Sequence, residues 1–239
     1  KNKSVVSMVL KGAENQKNLD FSFKNVEDEL YHSDMEYEKK FKNLNLKIPK
    51  NAFYETTKLN FEYKLDTLII EKFTKAPKKG LNLEFFLPKN LDSINLRQTC
   101  IGKFNINKNG KKNKIQYVFG NKKGSLIRAS SVSGGKYFLT KDTISPSIKP
   151  INFRNEKWVT NLSTLRINAD DEFSGIKKYR ATINGKWILM EHEPKRKLLF
   201  FEFDDVKFSK TELKLNLQVE DMVGNIKEFE ATIYRKKIK

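Results

Sequence analysis

The pair Asn184-Gly185 constrains this chain more than any other feature, because it sits between two strand-like runs in residues 179–192 (YRATINGKWILMEH). Asn and Gly both accept the positive φ angles of a type I′ turn, whose twist matches that of the strands it joins. Tyr179, Ala181 and Ile183 alternate before the turn, and Trp187 and Leu189 follow it. A period of two sends Tyr179, Ala181 and Ile183 to one face together. That predicts a half-buried antiparallel hairpin and excludes a helix.

From residue 41 onward the same signal recurs as short alternating runs separated by Gly, Asn, Asp, Lys and Pro, the pattern of an all-β sandwich. Strands are expected at 44–48, 58–63, 67–73, 81–87, 95–103, 114–119, 125–131 and 136–139. Further strands are expected at 151–153, 157–159, 164–168, 176–183, 186–191, 197–203, 212–219 and 227–234. Leu213, Leu215, Leu217 and Val219, set against Lys214, Asn216 and Gln218, form the cleanest run and belong in the middle of a sheet. Residues 142–150 (DTISPSIKP) carry two prolines, which remove backbone donors and favour extended geometry, so they read as a linker. The expected fold is all-β, with two tandem immunoglobulin-like antiparallel β-sandwiches at 39–141 and 151–239. A length of 239 residues lets each unit bury a core of its own. Residues 1–38 read as the last strand of a missing preceding domain (4–10, SVVSMVL) followed by a polar connector; a strand docked on the first sandwich is the competing reading.

The formal charge of +18 comes from 47 basic against 29 acidic residues, which favours encounter with polyanions in a salt-sensitive way. Lysine supplies nearly all of it, since Arg97, Arg128, Arg154, Arg166, Arg180, Arg196 and Arg235 are the only arginines. Bidentate recognition of phosphates and base edges favours arginine, so specific nucleic-acid readout is not expected. Cys100 is the only cysteine, which rules out an intrachain disulfide and a cysteine-rich zinc site. No apolar run approaches the ~18 residues that a membrane-spanning helix needs.

His32 and His192 are the only histidines, and no H-E-x-x-H or H-x-H joins them. The nucleophile elbow G-x-S-x-G and the phosphate loop G-x-x-x-x-G-K-[ST] do not occur either. No catalytic residue and no cofactor is therefore expected in this chain. Carboxylates cluster at 170–172, 204–205 and 220–221, and of these Asp170, Asp171 and Asp221 are candidate calcium ligands. Ser174-Gly175 and Gly224-Asn225 follow two of the clusters, and turn chemistry accounts for the same residues without a metal. Trp158, Trp187 and Tyr54 are candidate ligand-binding aromatics that would stack on sugar rings if exposed in a row. With Tyr137, their default role is core packing.

Six phrases occur in a fixed order: 48–55 (IPKNAFYE), 134–146 (GGKYFLTKDTISP), Asn152-Phe153 with Trp158, 170–176 (DDEFSGI), 179–192, and 219–225 (VEDMVGN). Together they resemble the C-terminal, non-catalytic region of large envelope zinc metallopeptidases of the lysostaphin/LytM class from gliding-type Gram-negative bacteria. The resemblance spans about residues 44–235. In that family an N-terminal zinc domain cleaves peptidoglycan peptides with H-x-x-x-D and H-x-H elements, and neither is present here. The resemblance thus implies a parent enzyme that holds zinc in a catalytic domain outside this chain. It implies a periplasmic or outer-envelope location, and the catalytic domain of the same protein as the first partner. Peptidoglycan and envelope proteins are further partners it suggests. The expected role is to position, stabilise or recruit the peptidase. The alternatives are a module that binds glycan or polyanion and one that uses a sheet edge for protein–protein interaction.

Overall fold

Alternation at period two becomes strand almost wherever it occurs. The computed structural model describes residues 29–105 and 114–236, so the strand expected at 4–10 lies outside the described residues. The chain opens with β1 (Glu29–Tyr31), β2 (Tyr37–Lys40), β3 (Leu44–Ile48), β4 (Thr57–Leu59), β5 (Phe61–Lys64), β6 (Thr67–Ile70) and β7 (Leu81–Phe86). A short helix α1 (Ser93–Gln98) precedes β8 (Thr99–Phe104), β9 (Gln116–Val118), β10 (Gly120–Lys123), β11 (Leu126–Ser131) and β12 (Gly135–Lys141). These strands form two five-stranded sheets, β10-β11-β7-β3-β2 and β5-β6-β12-β8-β9, beside a β1-β4 ribbon. Leu44, Leu46, Leu83 and Phe85 from the first sheet meet Leu68, Ile70, Ile101 and Tyr137 from the second in one buried cluster.

The second unit contains β13 (Ser147–Pro150), β14 (Lys157–Trp158), β15 (Thr164–Asp170), β16 (Ile176–Ile183) and β17 (Lys186–Ile188). It continues with β18 (Glu191–Glu193), β19 (Leu198–Glu202), β20 (Glu212–Asp221) and β21 (Ile226–Tyr234). Its sheets run β13-β15-β19-β18 and β14-β21-β20-β16-β17. Lettered in chain order these are A-B-E-D against G-F-C-C′, the immunoglobulin topology, with β14 added parallel to the last strand. The core is a separate cluster in which Leu165, Ile167 and Phe201 of one sheet face Leu213, Leu215, Leu217 and Val219 of the other. The four residues of that last run are buried and their lysine, asparagine and glutamine neighbours exposed, and β20 is the central strand of its sheet.

The Asn184-Gly185 hairpin forms as the sequence requires, with φ of 50° and 77° at the two turn residues. The side chain of Asn184 adds a second restraint. Its Nδ2 donates to the Glu212 carbonyl at 3.0 Å and its Oδ1 accepts from the Lys214 amide at 2.9 Å, which stitches the turn to β20. A two-residue loop pairs Ala181 with Ile188 and Thr182 with Trp187. Cross-strand partners share a face. Ala181 and Ile188 therefore point into the core, and Trp187 points out.

Local chemistry overrides the pattern in several places. The strand expected at 95–103 starts with α1, because the Asp92 Oδ1 accepts the Asn95 amide at 2.7 Å and caps a helical turn. The run 58–63 breaks at Asn60, so that β4 and β5 belong to different sheets. Residues 29–38, expected as connector, contribute to the first unit: Tyr31 is buried in its core, and β2, which starts at Tyr37, pairs with β3. The last four residues of the expected linker pair with β15 as an edge strand, a place where Pro150 leaves no ladder donor missing.

Replacing Asn184 tests the hairpin. Asn184→Ala keeps a Cβ at positive φ and loses both side-chain hydrogen bonds, so chemical denaturation should show a loss of about 1–3 kcal/mol. Asn184→Gly relieves the backbone and should cost less than the alanine variant.

Candidate functional site at the junction of the two sandwiches

The turn that closes the β20–β21 hairpin is built on one carboxylate. Asp221 Oδ1 accepts the amides of Val223 (2.9 Å) and Asn225 (2.8 Å), and Gly224 supplies the positive φ of 92° that the turn requires. Asn225 then reaches outward from the turn. Its Nδ2 donates to Asp221 Oδ2 at 2.7 Å and to the Asp142 carbonyl at 2.9 Å, while its Oδ1 accepts from Gln98 Nε2 at 2.8 Å. Gln98 ends α1, and its own carbonyl accepts the Asp142 amide at 3.0 Å. One buried asparagine thus ties the second sandwich to the first and to the chain between them.

The loop after β15 is organised in the same way. Asp171 Oδ1 accepts the amides of Phe173 (3.2 Å) and Gly175 (2.7 Å), and the Gly175 carbonyl in turn accepts the Met222 amide at 3.1 Å. The two loops so joined, together with the residue following β12, bring Asp142, Asp171 and Asp221 into one group. A ligating oxygen of each lies within 4.8 Å of those of the other two. Among the described residues this is the one such group of potential metal ligands, and neither histidine nor Cys100 belongs to it.

Asp221 and Asp142 are 0% and 3% exposed, and Asp171 is partly open to solvent. Asp142 Oδ1 accepts the Ile144 amide at 3.3 Å, but Oδ2 is buried without a hydrogen-bond partner. The Ser174 hydroxyl donates to Asp171 Oδ1 at 3.3 Å and also lies close enough to the Asp142 carboxyl to favour its charged form. Burial, followed by the charges of Asp171 and Asp221, pushes the Asp142 carboxyl above the usual carboxylate range, against opposing effects of the Ser174 hydroxyl and the Ile144 amide. Of the cations nearby, Arg97 lines the adjoining cleft beside Gly224, and the lysines are engaged elsewhere. Lys197 pairs with Asp170 at 2.6 Å, and Lys177 and Lys178 pair with Glu220 at 3.2 and 2.9 Å. Lys122 donates to the carbonyls of Leu96, Arg97 and Thr99 at the end of α1.

A cleft of about 250 Å³ adjoins the group, lined by Cys100, Tyr117 and Lys122 from one sandwich and by Lys177, Glu220 and Gly224 from the other. Burial pushes the Cys100 thiol up to about 12, which keeps it protonated and a poor nucleophile.

Of the three calcium candidates read from the sequence, Asp171 and Asp221 converge and Asp170 does not. Alternation at the end of β15 turns Asp170 away from its neighbour and toward Lys197. Asp142 was missed because it stands alone in the linker, with no carboxylate neighbour in sequence to single it out. The candidate aromatics are spread apart. Trp158 (58% exposed) and Trp187 (59%) stand on β14 and β17, the opposite edges of one sheet, and Tyr54 (78%) is in the first unit. Core packing, their default, holds for Tyr137 alone. His192 packs edge-on against Tyr179 with ring centroids 5.6 Å apart, while His32 follows β1 in the other sandwich.

No family model matches the chain, and no curated protein matches it. A solved structure described as fibronectin(III)-like modules of Clostridium thermocellum CbhA is similar at 12% identity, over 66% of this chain and 86% of that one, with a TM-score of 0.31. A likeness that low leaves the fold to rest on the strand order itself. Among the described residues, no helix is long and apolar enough to cross a membrane.

Two substitutions test the junction. Asn225→Ala removes the shared hydrogen bonds and should lower stability by about 1–3 kcal/mol. Calorimetry should then resolve two melting transitions where the parent chain shows tighter coupling. The second concerns Glu220, whose carboxyl is held below its ordinary value by the Lys178 ammonium first, with Lys177 adding to it. A depressed folded pKa gives stability that is present above the unfolded value of about 4.5 and is lost as pH falls through the lower folded one. Glu220→Gln should therefore destabilise at pH 7, with the difference from wild type vanishing in acid.

Proposed function

We propose that this chain is the non-catalytic accessory region of a peptidoglycan endopeptidase, a cell-wall zinc metallopeptidase whose catalytic domain lies elsewhere in the same protein. Its task is to position that domain in the periplasm or at the outer envelope. The observation that carries the reading is the buried Gln98–Asn225–Asp142 connection, which fixes one sandwich against the next and makes the pair a stiff spacer. The ordered resemblance of residues 44–235 to the corresponding part of lysostaphin/LytM-class enzymes supplies the enzyme class. Two histidines in separate units and a Cys100 thiol that burial keeps protonated support a non-catalytic reading.

The test is a muropeptide-release assay on purified sacculi. Residues 1–239 alone should release nothing, with or without added zinc. In the parent enzyme, deleting this region should lower cleavage of intact sacculi by ~10-fold or more, while a small soluble peptide substrate is still cut, as expected when remote binding or positioning is removed. Zinc-dependent release by residues 1–239 would overturn the proposal.

A second reading, a module that binds glycan or polyanion, is favoured by the outward Trp158 and Trp187 and the net charge of +18. Retention on sacculi that falls with salt and with Trp158→Ala or Trp187→Ala would support it.

A further inference from the structure

Three carboxylates share one largely buried space at the junction, and the lysines around it are committed to other partners. A buried charge needs a partner, and like charges this close disfavour one another. Asp142 Oδ2 makes the imbalance specific: it is a buried carboxylate oxygen with no donor, on a side chain 3% exposed, within 4.8 Å of oxygens from Asp171 and Asp221. Hydrogen bonding within the turns accounts for Asp171 Oδ1 and for both oxygens of Asp221, and leaves this atom unexplained.

We propose that Asp142, Asp171 and Asp221 bind a calcium ion that locks the end of the first sandwich to two loops of the second. The donors are hard oxygens only, which suits calcium; zinc or copper would draw on histidine or cysteine, and the group has neither. Magnesium demands near-ideal octahedral geometry, whereas calcium accepts the uneven set that three unrelated loops provide. Three carboxylates offer at most half a dozen oxygens, some already accepting N–H groups, so water completes the shell. Asp171, the partly exposed member, faces the solvent from which ion and water arrive.

The three ligands follow β12, follow β15 and end β20. An ion held among them adds a cross-link between segments that Asn225 already joins by hydrogen bonds, so calcium would set the stiffness of the tandem. The inference stands on the geometry of the group and does not depend on the enzyme class of the parent protein.

Isothermal titration and thermal melting of residues 1–239, stripped with a chelator and then titrated with calcium or magnesium chloride, test the proposal. Calcium should bind once per chain with half-saturation at about 0.1–1 mM, the range of extracellular calcium modules. About 10 mM calcium should raise the melting temperature by roughly 3–6 °C, and magnesium should do less. Asp142→Asn keeps the size of the side chain and should weaken calcium binding by ~10-fold or more, whereas Asp170→Asn should leave it unchanged. Absence of calcium heat and of any melting shift in the wild-type chain would overturn the proposal and leave a shared proton to neutralise the group. Calcium binding unchanged in Asp142→Asn, or a magnesium response equal to that of calcium, would also overturn it.

Discussion

The structure depends on what Asp221 and Asn225 do within one turn. A carboxylate that ends β20 and accepts two amides of the following turn fixes that turn, and the asparagine it orients carries that order to α1 and to the chain after β12. Hydrogen bonds to charged groups contribute more than neutral ones, and a buried polar group left unpaired costs still more. The interaction is therefore hard to replace in part. Removing either member strands Gln98, the Asp142 carbonyl or the turn amides, which explains why so small a motif governs how two separate cores sit together.

The strand pattern and the hairpin were legible in the sequence for a physical reason: a period of two with one apolar face leaves a single register that buries it. β3 and β20 come out within a residue or two of where alternation places them, and Asn184-Gly185 takes the φ angles that its residue types permit. What was not legible depends on context. Asp92 diverts an alternating stretch into α1 by capping it, and nothing in the periodicity of residues 95–98 announces this. Trp158 and Trp187 read as core residues because large aromatics usually are, yet they sit on the two edge strands of their sheet, and edge position is a property of strand order.

The site was half visible for a related reason. Asp171 and Asp221 stand in D-x-x-S-G and D-x-x-G-N turns that mark themselves by their glycine and asparagine, whereas Asp142 is an isolated acid in a proline-containing stretch. Its partners follow β15 and end β20 in the other sandwich, and only the tertiary fold brings the three into range. Asp170 has the opposite fate. It lies next to Asp171, but one residue of a strand reverses the direction of the side chain, and it ends in an ion pair with Lys197.

Charge is distributed unevenly between surface and interior, and the difference bears on function. The chain carries a surplus of lysines, and those around the junction make exposed ion pairs of the kind that contribute little each, while three aspartates lie together within it. A positive exterior supports encounter with anionic polymers, which salt weakens, whereas the acidic group is largely buried and meets solvent at the partly exposed Asp171. The two features act on different properties. The exterior sets how often the tandem meets its surroundings, and the junction sets the angle at which one sandwich is held relative to the other. The positioning role proposed above would depend on the second property, because a hinge that bends freely transmits no position.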